Sequence, residues 1–265
     1  MNDGVSYSSY LRIDELLSLQ RPLSRVAGRE EHDEMLFIVI HQVYELWFKQ
    51  VLHEIDRVVE LLDDGSAVRA GHTLKRILTI VKVMVAQMDV LETMTPIEFL
   101  TFRERLESGS GFQSAQFREV EFVLGHKRTS VLDEAGHSGE ARTRLEGRLA
   151  RPSVWSTFLH FLERRGHAIP PSVLEAPDTA PTAADDAVQE ALVGVYRGDP
   201  EAAELCERLI DLDEGLQEWR YRHVKMVERT IGTKAGTGGS SGATYLHGTL
   251  GRPLFPDLWA IRARL

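Results

Sequence analysis

Two histidines on apolar helical faces are the residues from which this chain could do chemistry. His41 has Phe37 one turn before it, Tyr44 and Glu45 one turn after it, and Phe48 a turn further on. At helical spacing these side chains share a face. His223 is set in the same way between Trp219, Met226 and Val227. Two roles suit an imidazole so placed. It is a core histidine whose ring nitrogens are satisfied, or it is a neutral ligand turned toward a metal or cofactor inside a helical bundle. Haem is the natural candidate for the second role. One neutral imidazole holds its iron axially while aromatic and aliphatic neighbours cover the macrocycle.

Other metal chemistries want different spacings. A di-iron bundle repeats Glu-x-x-His on two helices, but the residue three before His41 is Ile38 and the one before His223 is Arg220. The zinc-hydrolase pair of histidines one turn apart is missing around both. His32, beside Glu31, Asp33 and Glu34, reads as a charged helix start. The single cysteine, Cys206, lies among Leu205, Leu209 and Ile210 and reads as a small core residue. One cysteine permits no internal disulfide, which suits a reducing cytoplasm.

Two further features could hold a small polar group. The run Gly236-Thr237-Gly238-Gly239-Ser240-Ser241-Gly242 offers backbone N–H groups and hydroxyls. It lacks the Gly-Lys-Ser/Thr ending of a phosphate loop, and no strand precedes it. It is a lid that closes on a ligand or a plain linker. Arg103 follows Phe99 by one turn. A guanidinium beside an aromatic ring clamps a carboxylate well, although a solvated surface arginine is the commoner use.

The elements that must position these residues are helical. Apolar residues recur at three and four over 33–62. Further helices are predicted over 66–93, 96–106 behind the Thr95-Pro96 start, 114–124, 153–164, 183–196, 200–231 and 255–265. Residues 125–140 read as a loop or short excursion, the Pro-rich 167–182 as a surface connection, and the glycine run at 232–242 as irregular. No alternating βα pattern, strand pair or repeat is visible. The predicted class is all-α: a single helical-bundle domain over 1–265, with an N-terminal arm (1–30) and a Gly-rich loop region (232–254).

The net charge of −9 makes nucleic acid and anionic lipid poor partners. The N-terminus has no basic region followed by an apolar run, so no signal peptide is predicted. The longest apolar stretch, 77–91, carries Lys82, Gln87 and Asp89 and is too short and polar to span a bilayer. A cytoplasmic location is therefore expected.

Separated blocks along nearly the whole chain are familiar together: Tyr7-Ser8-Ser9-Tyr10-Leu11, His32 to Ile38, His41-Gln42 through Lys49, Leu91 to Pro96, Phe102-Arg103, Ser110 to Arg118, Trp219-Arg220 with His223, and the 236–242 run. With them the chain resembles the tryptophan 2,3-dioxygenase family. The resemblance implies an all-α homotetramer with one haem b per subunit, ferrous when active, and L-tryptophan and O₂ as substrates. The implied reaction opens the C2–C3 bond of the indole to give N-formyl-L-kynurenine, the first step of kynurenine-pathway catabolism. It also implies roles. His223 is the axial iron ligand and His41 the distal histidine that meets the indole N–H. Arg103 binds the substrate carboxylate and Thr237 the amino-acid end. Phe37 and Phe99 wall the indole pocket, and Ser110 and Gly111 line the haem. Tyr10 and Leu11 complete a neighbouring subunit's pocket. The family varies between Phe and Tyr at position 99, so a hydroxyl contact is absent here. A related haem oxygenase acting on a substituted tryptophan or indole, and a non-catalytic haem sensor, are the alternatives.

Overall fold

The computed structural model describes residues 4–26, 28–133, 139–237 and 242–265. All regular structure among them is helical. Three short helices lead in, α1 (Tyr7–Leu11), α2 (Ile13–Leu16) and α3 (Leu23–Val26). The long α4 (His32–Asp63) and α5 (Ala67–Leu91) follow, then α6 (Pro96–Arg103) and α7 (Ala115–Val123). Next come α8 (Gly139–Leu149), α9 (Val154–Arg164), α10 (Pro171–Leu174) and α11 (Asp186–Gly198). The long α12 (Pro200–Ile231) precedes α13 (Ala243–His247) and α14 (Pro256–Ala260).

Local chemistry sets the boundaries. Asp33 and Glu34 occupy the first turn of α4, where the helix dipole favours negative charge. Gly65, at φ 73°, turns the chain out of that helix. Thr95 and Glu98 form a reciprocal capping box ahead of Pro96, with Thr95 N donating to Glu98 Oε2 at 2.6 Å. Asp199 caps α12, accepting from Ala202 N at 3.1 Å.

The core is a three-helix stack in which α5 packs against both α4 and α12. Ile55, Leu61 and Leu62 from α4 are buried with Leu74, Ile77 and Met84 from α5 and Leu209 and Leu212 from α12. Each such side chain contributes about 1.5–3 kcal/mol by leaving water. Gly215 allows the closest approach of α12 to α5, since a Cβ there would lie 3.2 Å from both Leu78 and Val81. The C-terminal tail is fastened to this stack by the buried Asp213. Its Oδ2 accepts from Leu254 N (2.8 Å), Phe255 N (3.1 Å) and Trp259 Nε1 (2.9 Å). No helix of the described residues is long and apolar enough to cross a membrane.

The helical class and the long elements stand as predicted, with local differences. The stretch taken as loop holds a 3₁₀ turn, Thr129–Asp133, and the start of α8. Helix α8 buries Leu145 and Leu149 and is held from outside itself, by Arg144 to Glu119 (3.1 Å) and by Arg148 to Glu119 (3.4 Å) and Asp56. The α-helix predicted to reach 106 ends at Arg103 and tightens to 3₁₀ over Glu104–Leu106. Cys206 is buried, and burial pushes its thiol pKa well up, as a core residue requires.

Candidate active site

One cavity of about 270 Å³ gathers most of the residues singled out from the sequence. Helices α4, α6, α7 and α12 and the segment after α12 bound it. Phe37, His41, Phe99, Arg103, Ser110, Gly111, His223 and Thr237 all line it. Gly238, Gly239, Ser240 and Ser241 of the glycine run lie outside the described residues.

The aromatic wall comes from three helices. Phe37 lies 4.1 Å from the His41 ring and 5.8 Å from Phe99, centroid to centroid. Phe99 meets Phe102 edge-on at 5.4 Å. From α12, Trp219 stacks on His223 at 5.5 Å with the rings 6° from parallel. Offset and edge contacts of this kind hold rings in place without filling the space between them.

The two histidines differ in their hydrogen bonds. His41 Nδ1 lies 2.7 Å from the Phe37 carbonyl oxygen. A carbonyl only accepts, so Nδ1 carries the proton and Nε2 of the neutral ring keeps its lone pair. Burial lowers the His41 pKa against the opposing pull of that hydrogen bond and of Glu45. His223 is brought down to about 4, by burial first and then by the charge of His41. With its pKa lowered that far, the imidazole is neutral at ordinary pH, and it lines the cavity. Neither of its ring nitrogens is hydrogen-bonded among the described residues. The satisfied-core alternative therefore fails for His223 and half-fails for His41.

Two of the polar groups are tied to backbone carbonyls. Arg103, in the last turn of α6, donates from Nη2 to the Ala235 carbonyl at 2.6 Å. Thr237 Oγ1 donates to the Gly109 carbonyl, also at 2.6 Å. Two bonds thus fold the start of the glycine run back over the cavity, which a plain linker would not do. Gly242 completes the fold-back: at φ +62° a Cβ would lie 2.6 Å from the Lys234 carbonyl oxygen. Ser110 caps the turn that follows α6, accepting from Phe112 N at 3.3 Å.

Tyr10 and Leu11 are not brought to this cavity. They are 76% and 43% exposed on the N-terminal segment. The acidic residues near His32 divide. Glu34 is buried and accepts from Leu23 N (2.8 Å) and Ser24 N (3.0 Å), fastening the N-terminal segment to α4. No group of three or more His, Cys, Asp and Glu side chains that could hold a metal ion exists among the described residues.

One buried cluster was not anticipated. Glu121 of α7 accepts from Arg118 Nη1 (2.7 Å), Arg128 Nη2 (2.9 Å) and Arg220 Nη2 (3.3 Å). Burial works to raise the Glu121 pKa, and the three guanidiniums outweigh it and hold the carboxylate ionised. Arg118, Glu121 and Arg220 also line the cavity. A signal was present: Arg220 stands three residues before His223, on the face where a charge is out of place.

A helical shell that turns a neutral, unbonded imidazole into an aromatic cavity has the donor chemistry and the apolar lining that a histidine-held, largely apolar cofactor requires. The chain belongs to the tryptophan 2,3-dioxygenase family, whose profile it matches over residues 1–164 and 181–265. It is 58% identical to the tryptophan 2,3-dioxygenase of Herpetosiphon aurantiacus over 265 residues, all of both chains. It is 56% identical to that of Anaeromyxobacter sp. strain K, across 99% of this chain and 97% of the relative. With that of Caulobacter vibrioides identity is 42% across the full length of both.

Proposed function

We propose that this chain is a haem-dependent dioxygenase that opens the indole ring of L-tryptophan with O₂ to give N-formyl-L-kynurenine, the entry to tryptophan catabolism. The observation that carries the proposal is His223: a neutral imidazole with both nitrogens unbonded, stacked on Trp219, in an aromatic cavity that also holds His41. An axial haem ligand needs that donor chemistry, so the residues fit haem b. His223 would hold the iron, and Ser110 and Gly111 would border the macrocycle. Bound ferrous haem supplies the activation of O₂.

The protein's own residues orient the amino acid. His41 Nε2, its lone pair set by the Nδ1–H bond to Phe37, accepts the indole N–H. Phe37 and Phe99 wall the indole. The Arg103 guanidinium has donors beyond the one given to Ala235 and takes the substrate carboxylate, while Thr237 takes the amino-acid end. These polar groups separate tryptophan from bare indole, because a ligand without a carboxylate leaves them unpaired. His41 positions the indole; the reaction has no net proton change and asks for no obligatory base. Arg103 and Thr237 hold the 232–237 segment over the site, where it excludes water.

The exposed apolar Tyr10 and Leu11 suit contacts in a homotetramer, where they would complete a neighbour's pocket. The lone buried thiol suits a cytoplasmic protein.

Reconstitution with haem, anaerobic reduction, and turnover of L-tryptophan under ¹⁸O₂ test the proposal together. A Soret band and a product carrying two labelled oxygens are expected. A product carrying one would make the enzyme a mono-oxygenating relative, and the absence of haem uptake would overturn the proposal altogether.

A further inference from the structure

The chain that leaves α12 comes back along it. Gly242 lies against the Lys234 carbonyl, just past the end of α12. His247, at the end of α13, meets Glu228 in the last turns of α12, its Nε2–H donating to Oε1. Leu254 N then donates to Asp213 Oδ2 at 2.8 Å, near the middle of the same helix. Residues 242–254 thus form a strap laid antiparallel on α12 and anchored at its start, middle and end. Leu246 and Thr249, on either side of His247, line the cavity. The α12 residues that line it in the same stretch are Met226, Val227 and Thr230, in the turns that follow His223. With α13 packed on α12, the strap is cavity wall on the His223 side.

The anchors are unequal. The one at the end is made inside the protein, by the fully buried Asp213. The one at the start is backbone against backbone, where Gly242 leaves no room for a Cβ. The middle one joins two side chains at the surface, His247 being 45% and Glu228 33% exposed. Lys225 Nζ donates to the other Glu228 oxygen at 2.8 Å. Lys225 first, and then His247, hold that carboxylate below its usual range, so it is ionised. Five residues are too few to keep a helix formed in water by themselves. The turn after α13 closes locally, with Thr249 N (3.0 Å) and Oγ1 (2.6 Å) both donating to the Leu246 carbonyl. Leu246 and Thr249 therefore move with His247, and the ion pair seats them between the two end anchors. Resting on the haem assignment above, we infer that His247 is a positioning residue: through Glu228 it holds the α13 strap on α12, and the strap slows the departure of haem from His223. His247 is outside the cavity lining. Phe37, His41, Phe99 and Arg103 lie on α4 and α6, so tryptophan binding does not depend on the pair.

The test measures haem loss from the full-length, haem-loaded protein to an excess of apomyoglobin, followed in the Soret region. Wild type is compared with His247→Ala, Glu228→Ala, the double variant and His247→Lys, with helical circular dichroism as the check on folding. Loss of an ion pair this exposed corresponds to about a two- to fivefold change. Each single alanine variant should lose haem faster by that factor. The double variant should be no faster than the faster single one, because both remove the same contact. His247→Lys keeps a cation opposite Glu228 and should hold haem as wild type does, and the tryptophan KM should stay constant throughout. An unchanged rate in His247→Ala, single effects that add in the double variant, or a His247→Lys rate equal to that of His247→Ala would each overturn the inference and leave the haem assignment intact. A raised tryptophan KM without faster haem loss would overturn it as well, by giving the strap to the substrate. A wild type that takes up no haem would remove the haem assignment and the inference with it. If His247→Ala does not fold, an unchanged rate in Glu228→Ala still overturns the inference.

Discussion

The two sides of the cavity are built by opposite means. The histidine side is carried on helices of 32 residues each, α4 and α12, clamped by α5. Its side chains are fixed by ring stacking and by a backbone hydrogen bond within the helix. The polar side hangs on two bonds, Arg103 to Ala235 and Thr237 to Gly109, between segments far apart in sequence. The first side can define a position to a fraction of an ångström because packed helices move little. The second is tied by fewer contacts at its Ala235 and Thr237 end, where local opening costs least. With the roles proposed above, the residues that hold the reacting groups would sit on the rigid helices and those that choose the substrate on the less tied segment, the division an enzyme needs when its substrate must enter a dry site.

Substitutions separate the two sides in order of effect. His223→Ala is expected to abolish stable haem retention, and an unchanged Soret band would remove the rigid side's main claim. The same residue sets a pH response. With its pKa near 4 in the fold and 6.5 ordinarily, His223 is neutral in both states above pH 6.5. As pH falls from 6.5 toward 4, the unfolded chain takes up the proton first, so the haem-free protein should lose up to about 3 kcal/mol across that window. Denaturant midpoints measured from pH 7 to 4 in wild type and His223→Gln check this; equal slopes would contradict it. Arg103→Leu, on the loose side, should raise the tryptophan KM about thirtyfold to several hundredfold while leaving the haem spectrum alone. His41→Ala should lower kcat about ten- to hundredfold with haem still bound; loss of haem would mean that the two histidines have exchanged roles. Thr237→Ala should be mildest, about 1 kcal/mol in substrate affinity, and a much larger fall would show that the loop is stiffer than two hydrogen bonds make it.

The long helices were legible because their signal is local. Period, cap and breaker sit inside the same stretch in α4, α6 and α12. Helix α8 was not, because only Leu145 and Leu149 of it are buried and its ion pairs reach to Glu119 and Asp56, which its own residues cannot announce. The same contrast runs through the site. His41 and His223 stood out among apolar neighbours on their own helices. The Glu121 cluster did not, since its members come from α7, α12 and the segment after α7 and meet only in the folded chain.

About two-thirds of the chain separates the two histidines, and that has a consequence during synthesis. His41 leaves the ribosome early, and the helix that carries His223 forms only when most of the protein has been made. The α5–α12 packing that brings them together is among the longest-range in the fold and so among the slowest to form. A nascent chain thus pairs α4 with α5 but leaves the face of α5 that receives α12 uncovered, and the cavity is incomplete until α12 arrives. The haem proposed above would then be captured after translation. Supply of that group at the end of folding, rather than during elongation, should limit the yield of active enzyme in a host that makes the polypeptide faster than its tetrapyrrole.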